Sequence, residues 1–400
     1  MSTFVLVLNA GSSSLKYSLV DADSGEEPSS GVVEQIGESS GVLSHVAPSG
    51  KQRSERAFAS HEDALRAVLD AFAEHGPSLD DVALRAVGHR VVHGGARFSS
   101  PVRIDDDLVD AVKSLVPLAP LHNPANLEGI ETARTLFPDL PQVAVFDTAF
   151  HQTLPEHAYT YAVPLSLRDE HQIRRYGFHG TSFSFVSGEA ARVLGRPLAE
   201  LNMIVLHLGN GASVAAVAGG RSVDTSMGLT PLEGLVMGTR SGDLDPALHA
   251  HLHHRLGWSI DEIDRVLNRE SGLKGLSGHN DFREVEQRRA AGDEAARLAF
   301  DVFCHRLRKY VGAYYAVLGS VDAVVFTAGV GENSSQVRAA SLAGLERLGI
   351  AVDDARNSQR ATSPVVVSPD GSDVAVLVVP TNEEWEIARQ VMAVVGASDT

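Results

Sequence analysis

Two glycine-containing turns, each lying between two short apolar runs, constrain the fold of this 400-residue chain more than any other feature. The first covers residues 9–14 and the second covers residues 207–213. Each pattern predicts a strand, a tight turn and a second strand, with backbone N–H groups that could bind phosphate. Gly11 and Gly209 are 198 residues apart, which is about half of the chain. The spacing therefore predicts an internal duplication.

A second similarity supports the duplication. Residues 143–149 and 324–329 each read as a buried strand that ends in a turn of small residues. Apolar residues at helical spacing alternate with the predicted strands. Helices are predicted over residues 61–75, 105–115, 126–137, 181–194, 293–318, 334–348 and 384–395, and further strands over 82–92 and 374–379. This alternation predicts an α/β fold. The polar segment 24–56 predicts hairpins and an exposed loop.

The length and charge of the chain limit its organisation and its partners. Four hundred residues exceed one ordinary core, so two domains are expected: residues 1–150 with the closing helix 384–400, and residues 151–383. The formal charge of −17 argues against nucleic acid and anionic membranes as partners. The single cysteine, Cys304, predicts a buried structural thiol and a reducing cytosol. With no candidate signal peptide or membrane span, a cytoplasmic protein is expected.

Residue types that bind anions or take part in catalysis are concentrated in predicted loops. The clusters lie at residues 89–95, 146–151, 176–182, 238–243 and 329–333. An arginine at the end of a strand is usually a surface charge, and a Gly-Gly pair is usually only a turn. Five such clusters without an obvious role in the core predict a functional site.

Several of these clusters resemble the signature motifs of acetate kinases. The matching segments are 9–16, 118–124, 176–182, 235–243, 328–333 and 382–384, in order along residues 4 to about 390. That family is similar to actin, sugar kinases and Hsp70. The resemblance therefore implies two duplicated, actin-like (ribonuclease H-like) α/β domains that enclose a nucleotide cleft, and a homodimer.

The resemblance implies a reaction in which the γ-phosphoryl group of ATP passes directly and in line to acetate, reversibly, giving acetyl phosphate and ADP. Mg²⁺ is the implied cofactor, and Mn²⁺ can take its place. Acetate, with a pKa near ~4, is already ionised at pH 7. Asp147 is therefore expected to orient an arginine or a Mg²⁺-bound water rather than to remove a proton.

The resemblance also assigns roles to individual residues. It implies catalytic roles for Arg90, Asp147, His179 and Arg240. It implies an acceptor site formed by Arg90, Val92, Leu121, Phe178 and Pro231, and a metal site formed by Asn9 and Glu383. It implies ATP contacts from Ser12, Ser14, Lys16, His207, Leu208, Gly209, Asn210, Gly211, Asp281, Phe282, Arg283, Gly329, Val330, Gly331, Glu332 and Asn333.

Alternatives stay open at this point. The chain could act on propionate or another short-chain acid, could use pyrophosphate as donor, or could be a non-catalytic actin-like ATP-binding module. His179 could be a capping residue that orders its loop. Glu383 could be no more than a negative charge that complements the dipole of its helix. Phe183 stands where the family pattern has a histidine. His249 and His253 have the spacing of zinc ligands, but a solvated helix face is the better interpretation.

Overall fold

The computed structural model describes residues 3–398 and divides them into two compact units. The first unit runs to Gln152 and resumes at Asn382, and the second is Thr153–Thr381. Within residues 3–398, no helix is both long enough and apolar enough to cross a membrane.

Strands and helices alternate along the chain in both units. The strands are β1 Phe4–Gly11, β2 Ser14–Asp21, β3 Ser29–Glu34, β4 Gly41–Ala47, β5 Gly50–Arg56, β6 Leu84–Val91, β7 Val102–Arg103, β8 Gln142–Phe146, β9 Asn202–Leu208, β10 Ala212–Ala218, β11 Arg221–Thr225, β12 Ala323–Thr327, β13 Val365–Val366 and β14 Ala375–Val378.

The helices begin with α1, whose bounds are those predicted from the sequence. They are α1 His61–His75, α2 Asp106–Ser114, α3 Asn123–Leu136, α4 Glu156–Tyr159, α5 Leu165–His171, α6 Gly180–Leu194, α7 Ala247–Leu256, α8 Ile260–Arg269, α9 Gly272–Ser277, α10 Phe282–Ala290, α11 Glu294–Leu318, α12 Ala328–Asn333, α13 Ser335–Leu342, α14 Asp354–Asn357 and α15 Glu383–Ser398. Short 3₁₀ turns cover Val116–Leu118, Ala149–Thr153, Leu198–Glu200 and Glu346–Leu348.

Apart from β4 and β5, which extend only the first sheet, the two sheets share one topology, which confirms the predicted duplication and the α/β class. The first has the order β5-β4-β3-β2-β1-β6-β8-β7, and the second has the order β11-β10-β9-β12-β14-β13. In each sheet, three antiparallel strands are followed by two strands parallel to the first: β3-β2-β1 then β6 and β8, and β11-β10-β9 then β12 and β14. Each glycine turn joins the first two strands of its unit.

The second sequence similarity does not connect equivalent strands. By sheet order, β12 corresponds to β6, and β8 corresponds to β14. The match of 143–149 with 324–329 is therefore wrong as a correspondence. Both β8 and β12 are buried along their whole length. Burial on both faces selects the same apolar residues wherever a strand lies in a parallel sheet.

Three other local predictions also need correction. In segment 24–56 the predicted hairpins are present as β3-β4 and β4-β5, but these strands extend the first sheet and bury Val33 and Leu43, so less of the segment is exposed loop than predicted. The helix predicted over 334–348 ends at Leu342, and Gly344, with φ of 84°, separates it from a 3₁₀ turn. The segment 329–333, predicted to be a loop, forms helix α12.

The first sheet is covered on both faces because its central strand alternates. Leu6 and Leu8 of β1 point into a core with residues of α1, such as Phe72. Val5 and Val7 lie in another core with Ile387 and Val391 of α15. Alternate residues of a strand point to opposite faces. Each fully buried side chain of this kind contributes about 1.5–3 kcal/mol, so α15 is an integral part of the first unit.

Candidate active site

Arg90 and Asp147 form an ion pair at one edge of the first sheet. Arg90 lies near the end of β6, and Asp147 directly follows the parallel neighbour β8. Nε of Arg90 donates to Oδ1 of Asp147 at 2.9 Å, and Nη2 donates to Oδ2 at 2.8 Å. The Asp147 side chain is only 3% exposed. The Asp147 charge, followed by that of Glu383, raises the pKa of Arg90, so the guanidinium stays charged.

Glu383, the first residue of α15, lies beside this pair. Its Oε2 is 3.9 Å from Nη2 of Arg90. Burial raises the pKa of Glu383 above its ordinary value; the Asp147 charge adds to this shift, while Arg90 and Lys16 oppose it. A carboxylate desolvated next to a second carboxylate is a favourable place for a cation.

The donor types at this edge fit a hydrated Mg²⁺ ion. Asn9, near the end of β1, offers an amide oxygen, and Glu383 offers a carboxylate. Mg²⁺ takes oxygen ligands, binds few protein groups and keeps several waters. Within residues 3–398, no group of three or more His, Cys, Asp or Glu side chains could form a metal site. An amide oxygen and a carboxylate are donors that suit a cation held by few protein ligands.

Two residues that were not predicted from the sequence hold the first glycine turn. Nε2 of His61 lies 2.8 Å from the carbonyl oxygen of Gly11, and Nδ1 lies 3.1 Å from a carboxylate oxygen of Glu128. Nδ2 of Asn126 donates to the carbonyl oxygen of Ala10 at 2.7 Å. The supporting residues lie 50 and 116 positions from the turn. Sequence proximity gave no sign of these contacts.

The structure places the other predicted residues of the first unit in different environments. Val92 is half-buried, and its N–H donates to Oδ1 of Asn126 at 3.0 Å, so one asparagine holds both this residue and the turn. Leu121 precedes α3 and is 59% exposed. Ser12 and Lys16 are exposed, and Ser14 is half-buried. Oγ of Ser14 is 3.0 Å from the position that a Cβ atom at Gly11 would take, so a larger residue at position 11 would require the Ser14 side chain to shift.

In the second unit, two histidines stack beside the second glycine turn. His179 caps α6 in the left-handed conformation, with φ of 59°, which is uncommon for a residue other than glycine. Its ring lies 4.2 Å from the ring of His207, at an angle of 19°. Nδ1 of His179 is 2.9 Å from Oγ of Ser213, and Nδ1 of His207 is 2.8 Å from Oγ of Ser182.

His179 and Arg240 converge on Gly211. A Cβ atom at Gly211 would lie 3.6 Å from Nε2 of His179 and 3.7 Å from each Nη atom of Arg240. Nη1 of Arg240 also donates to the carbonyl oxygen of Pro231 at 3.0 Å, which places that predicted acceptor residue next to the guanidinium. Phe178, which precedes His179, is buried.

Arg240 forms no salt bridge with a carboxylate within residues 3–398. Its hydrogen bonds go to the Pro231 carbonyl oxygen and to the Met237 sulfur. Burial lowers the pKa of Arg240. A partly buried guanidinium without a counter-ion, next to a glycine turn, is suited to an anionic ligand.

A cavity of about 620 Å³ begins at the same turn. Its lining includes many predicted ATP contacts together with residues that were not predicted; they are Gly209, Asn210, Gly238, Leu273, Asn280, Asp281, Phe282, Arg283, Glu286, Gly329, Val330, Asn333 and Ser334. Pockets for small molecules have about this size. Asn210 and Gly211 are consecutive, so the cavity leads to the point where His179 and Arg240 meet.

Eight of the predicted ATP contacts do not line this cavity, and two of the eight, Gly331 and Glu332, belong to a segment whose other members do. Gly331 is buried, and its carbonyl oxygen accepts from Nη1 of Arg338 at 2.8 Å. Oε1 of Glu332 accepts from the N–H of Thr381 at 3.1 Å. Their neighbours Gly329, Val330 and Asn333 do line it. The difference arises because these residues form helix α12, of which one side faces the cavity.

A network of charged and phenolic groups supports the loop that carries Pro231. Arg175 donates to a carboxylate oxygen of Glu233 at 2.5 Å and to the Thr225 carbonyl oxygen at 2.7 Å. The Tyr161 hydroxyl donates to the other Glu233 oxygen at 2.5 Å and accepts from the N–H of Leu229 at 2.9 Å. The sequence signal for this network was the Arg174-Arg175 pair, which directly precedes the 176–182 motif.

The other residues singled out in the sequence, two histidines of α7, Phe183 and Cys304, have contacts typical of structural residues. Nδ1 of His249 and Nδ1 of His253 lie 3.1 and 2.7 Å from backbone carbonyl oxygens. His253 is exposed, as expected for a solvated helix face. Phe183 is buried, with its ring 6.4 Å from the His207 ring. Cys304 is buried as predicted, and burial raises its pKa to about 12.

Comparisons with known proteins give a consistent result. Residues 4–389 match the Acetokinase family. The chain is 59% identical over 399 residues to acetate kinase of Streptomyces coelicolor, covering 99% of this chain and 98% of that protein. It resembles the crystal structure of Porphyromonas gingivalis acetate kinase with a TM-score of 0.95 and 43% identity, over 98% of this chain and 100% of that one. It also resembles a propionate kinase from Francisella tularensis with a TM-score of 0.91 and 44% identity, over 97% and 98% of the two chains.

Proposed function

Because the chain belongs to the acetokinase family, we propose that it transfers the γ-phosphoryl group of ATP to acetate and catalyses the reverse reaction. The products are acetyl phosphate and ADP. The observation that carries this proposal is the convergence of His179 and Arg240 on Gly211, next to an Asn210 that lines the large cavity. ATP in this cavity would have its phosphates near the glycine turn.

The acceptor oxygen supplies the electrons for the new bond. A carboxylate oxygen of acetate attacks the γ-phosphorus, and the bond from that phosphorus to the bridging oxygen breaks, leaving ADP with the electron pair. Acetate is ionised at neutral pH, so no proton must be removed. Both Asp147 oxygens already accept hydrogen bonds from Arg90, which supports a positioning role for Asp147 rather than a role as general base.

His179 and Arg240 suit the charge that spreads over the phosphoryl oxygens during transfer. Phosphoryl transfer is catalysed chiefly by positioning and by electrostatic stabilisation. Arg240 has N–H groups to donate, and no carboxylate of the described part of the chain neutralises it. His179 is fixed by its bond to Ser213 and by its stacking on His207. The two donors therefore need little rearrangement when the anion forms.

Asn9 and Glu383 are the residues that would hold Mg²⁺, at least in part through water. The bound ion would neutralise the β- and γ-phosphate oxygens of the nucleotide. The raised pKa of Glu383 and its position beside Asp147 support this assignment, because a cation would relieve the cost of keeping the Glu383 carboxylate charged.

Acetyl phosphate formation tests the proposed function. The purified chain is incubated with ATP and Mg²⁺ and with acetate, propionate, butyrate or no acid, and the acyl phosphate is trapped as a hydroxamate while ADP is measured in a coupled assay. We expect ADP and hydroxamate to form in equal amounts with acetate and neither to form without an acid. ATP binding without any acyl phosphate would instead support a non-catalytic nucleotide-binding protein.

Propionate is the second candidate acceptor, because the Francisella tularensis relative is a propionate kinase. One methylene changes discrimination by about 10–200-fold in an apolar pocket. The same assay, run at several concentrations of each acid, gives kcat/KM for both. We expect acetate to be favoured within that range, and a higher value for propionate would reassign the acceptor.

We further propose that the chain forms a homodimer in the cytoplasm. The family resemblance supports this proposal. Light scattering coupled to size exclusion is expected to give twice the mass of one chain, and a monomeric mass would contradict the proposed dimer.

A further inference from the structure

His207 is fixed by two hydroxyl groups that have no assigned role in the reaction. Oγ of Ser182 lies 2.8 Å from Nδ1 of His207 and 2.8 Å from Oγ1 of Thr381. Ser182 is fully buried, and His207 is 7% exposed. Thr381 is half-buried. The three groups therefore form a hydrogen-bonded chain that is buried at Ser182 and His207, in which each partner constrains the others.

The far end of this chain is also anchored. The backbone N–H of Thr381 donates to Oε1 of Glu332 at 3.1 Å. Glu332 belongs to α12, whose residues Val330 and Asn333 line the cavity proposed for ATP. Glu332, which does not line the cavity, is therefore linked to His207 by hydrogen bonds through Thr381 and Ser182.

The number of hydrogens in this chain limits the state of His207. Ser182 and Thr381 each have one hydroxyl hydrogen, and the chain contains two hydrogen bonds. If Thr381 donates to Ser182 and Ser182 donates to Nδ1, a neutral His207 has its proton on Nε2. In the opposite direction, Nδ1 donates to Ser182 and Ser182 donates to Thr381. In a neutral His207, the first direction leaves an N–H group at Nε2, and the second leaves Nε2 without a proton.

Nε2 of His207 lies on the side of the second glycine turn. It is 3.9 Å from the position that a Cβ atom at Gly209 would take. A protonated Nε2 presents a donor to that turn, whereas an unprotonated Nε2 presents an acceptor. Phosphate oxygens only accept hydrogen bonds at neutral pH, so the first direction matches a phosphate ligand.

We propose that Ser182 and Thr381 are positioning residues that orient His207 with its Nε2 proton toward the Gly209 turn. Because the His179 ring stacks on His207 at 4.2 Å, the same pair also fixes the surface on which His179 rests. The catalytic role of this pair rests on the proposed function, but the protonation of Nε2 in His207 can be measured without any substrate.

The first test is the tautomer of His207 itself. Nitrogen NMR of the full chain with ¹⁵N-labelled histidine, assigned by comparison with His207→Asn, is expected to show a protonated Nε2 and an unprotonated Nδ1. Ser182→Ala and Thr381→Val should mix the two tautomers, whereas Thr381→Ser, which keeps the hydroxyl, should retain the wild-type signal. A protonated Nδ1 in the wild type, or no change in the variants, would overturn the proposal.

The second test is kinetic. Ser182→Ala and Thr381→Val are each expected to lower kcat about tenfold, with the KM for ATP changed less than about twofold. The double variant should be no slower than Ser182→Ala, because both hydroxyls act through His207. Thr381→Ser should restore most of kcat. Independent losses that multiply in the double variant would show that the two residues do not act as one unit.

Ser187→Ala is the matched control. Ser187 lies on the same helix, is 1% exposed, and its hydroxyl has no hydrogen-bond partner within residues 3–398. Its substitution removes the same atom from a similar environment, and we expect kcat and the His207 signal to stay unchanged. If the wild type forms no acyl phosphate, the proposed function fails, while the tautomer measurement still decides the inference.

Discussion

At the scale of residues, Arg90 and Arg240 show how one side-chain type is prepared for different tasks. Arg90 is held by two hydrogen bonds to Asp147 and lies 3.9 Å from Glu383. Arg240 is held by a backbone carbonyl oxygen and a thioether. A paired guanidinium keeps a fixed plane, whereas one without a carboxylate partner retains its charge for a ligand.

Asp147→Asn tests the positioning role of Asp147. The amide replaces one acceptor with a donor that faces the Arg90 guanidinium, so we expect kcat for acetate to fall by about 100-fold or more. The pH profile of kcat between pH 6 and 9 should keep its shape, because no base is lost. If the variant instead lost one of the pH-dependent limbs of the profile, Asp147 would have to be assigned the role of general base.

Asp106→Asn is the control for this substitution. Asp106 accepts from Arg134 at 2.7 Å, but its side chain is 89% exposed. Exposed pairs contribute about 0–1 kcal/mol, so kcat is expected to stay at the wild-type value.

Glu383→Gln gives a pH-dependent change in stability. Burial raises the folded-state pKa of Glu383 above 4.5, so the folded protein binds this proton more tightly than the unfolded chain does. Ionising Glu383 therefore destabilises the fold, and the penalty grows as pH rises from about 4.5 through the folded-state pKa. We expect Glu383→Gln to raise Tm by about 1–3 °C at pH 7 without ligands.

The same gain should disappear as the pH falls to 4, where both proteins carry a neutral side chain. Differential scanning calorimetry at several pH values measures this trend. A lower Tm for Glu383→Gln at pH 7 would mean that the attraction to Arg90 outweighs the cost of burial. The Mg²⁺ requirement of Glu383→Ala separately tests the metal role, and an unchanged requirement would remove it.

At the scale of elements, the segment between β11 and α7 depends on a close backbone approach to the second glycine turn. The side-chain oxygen of Asn210 occupies the place that a Cβ atom at Gly238 would need. The N–H of Gly238 donates to the Asn210 carbonyl oxygen at 2.9 Å. The missing side chain at 238 therefore lets Asn210 reach the cavity lining.

Gly238→Ala should displace Asn210 and raise the KM for ATP about tenfold, with little change in the KM for acetate. Steady-state kinetics with each substrate varied measures this difference. Gly312→Ala, in α11, is the control, because a Cβ atom there would meet no heavy atom of residues 3–398 within 4 Å outside the helix's own backbone. Equal effects on both KM values would indicate a general disturbance rather than a shift of Asn210.

The sequence predicted the helices and strands better than the long-range contacts between them. The pattern of α1 predicted His61–His75, and the Ser259 and Glu262 pair, spaced as in a capping box, forms one at the start of α8. Helical spacing and capping are local properties, so they can be read from neighbouring residues. The contact of His61 with Gly11 joins residues 50 positions apart. Such supports depend on the three-dimensional fold and leave no periodic signal.

The predicted site residues show the same limit. Gly329 and Val330 line the cavity, while Glu332 contacts Thr381. A sequence motif identifies a segment, but the helical turn of α12 decides which of its side chains face the ligand. The stacked rings of His179 and His207 likewise come together only because α6 packs next to β9.

At the scale of the whole molecule, the two sheets with one topology explain why the glycine turns lie 198 residues apart. Each unit repeats three antiparallel strands and two parallel strands. The first unit differs in taking its last helix from the end of the chain, because α15 covers one face of its sheet.

Ile387→Ala measures how strongly this helix supports the first unit. Ile387 is 2% exposed and packs with Val5 and Val143. Its truncation leaves a cavity and is expected to lower the free energy of unfolding by about 2–5 kcal/mol, as measured by chemical denaturation. Val317→Ala, at a position 52% exposed on α11, should change it by less than about 0.5 kcal/mol.

The origin of α15 also has a consequence for biosynthesis. The ribosome synthesises Thr153–Thr381 as one continuous stretch, so that unit has all of its residues before α15 is made. The first unit stays incomplete until residues 383–398 emerge, because Val5 and Val7 of its central strand are not yet covered by α15. Domains generally fold as units during synthesis, so the N-terminal half of this chain is completed last. A stop codon introduced just before α15 would therefore damage the part of the protein that was made first.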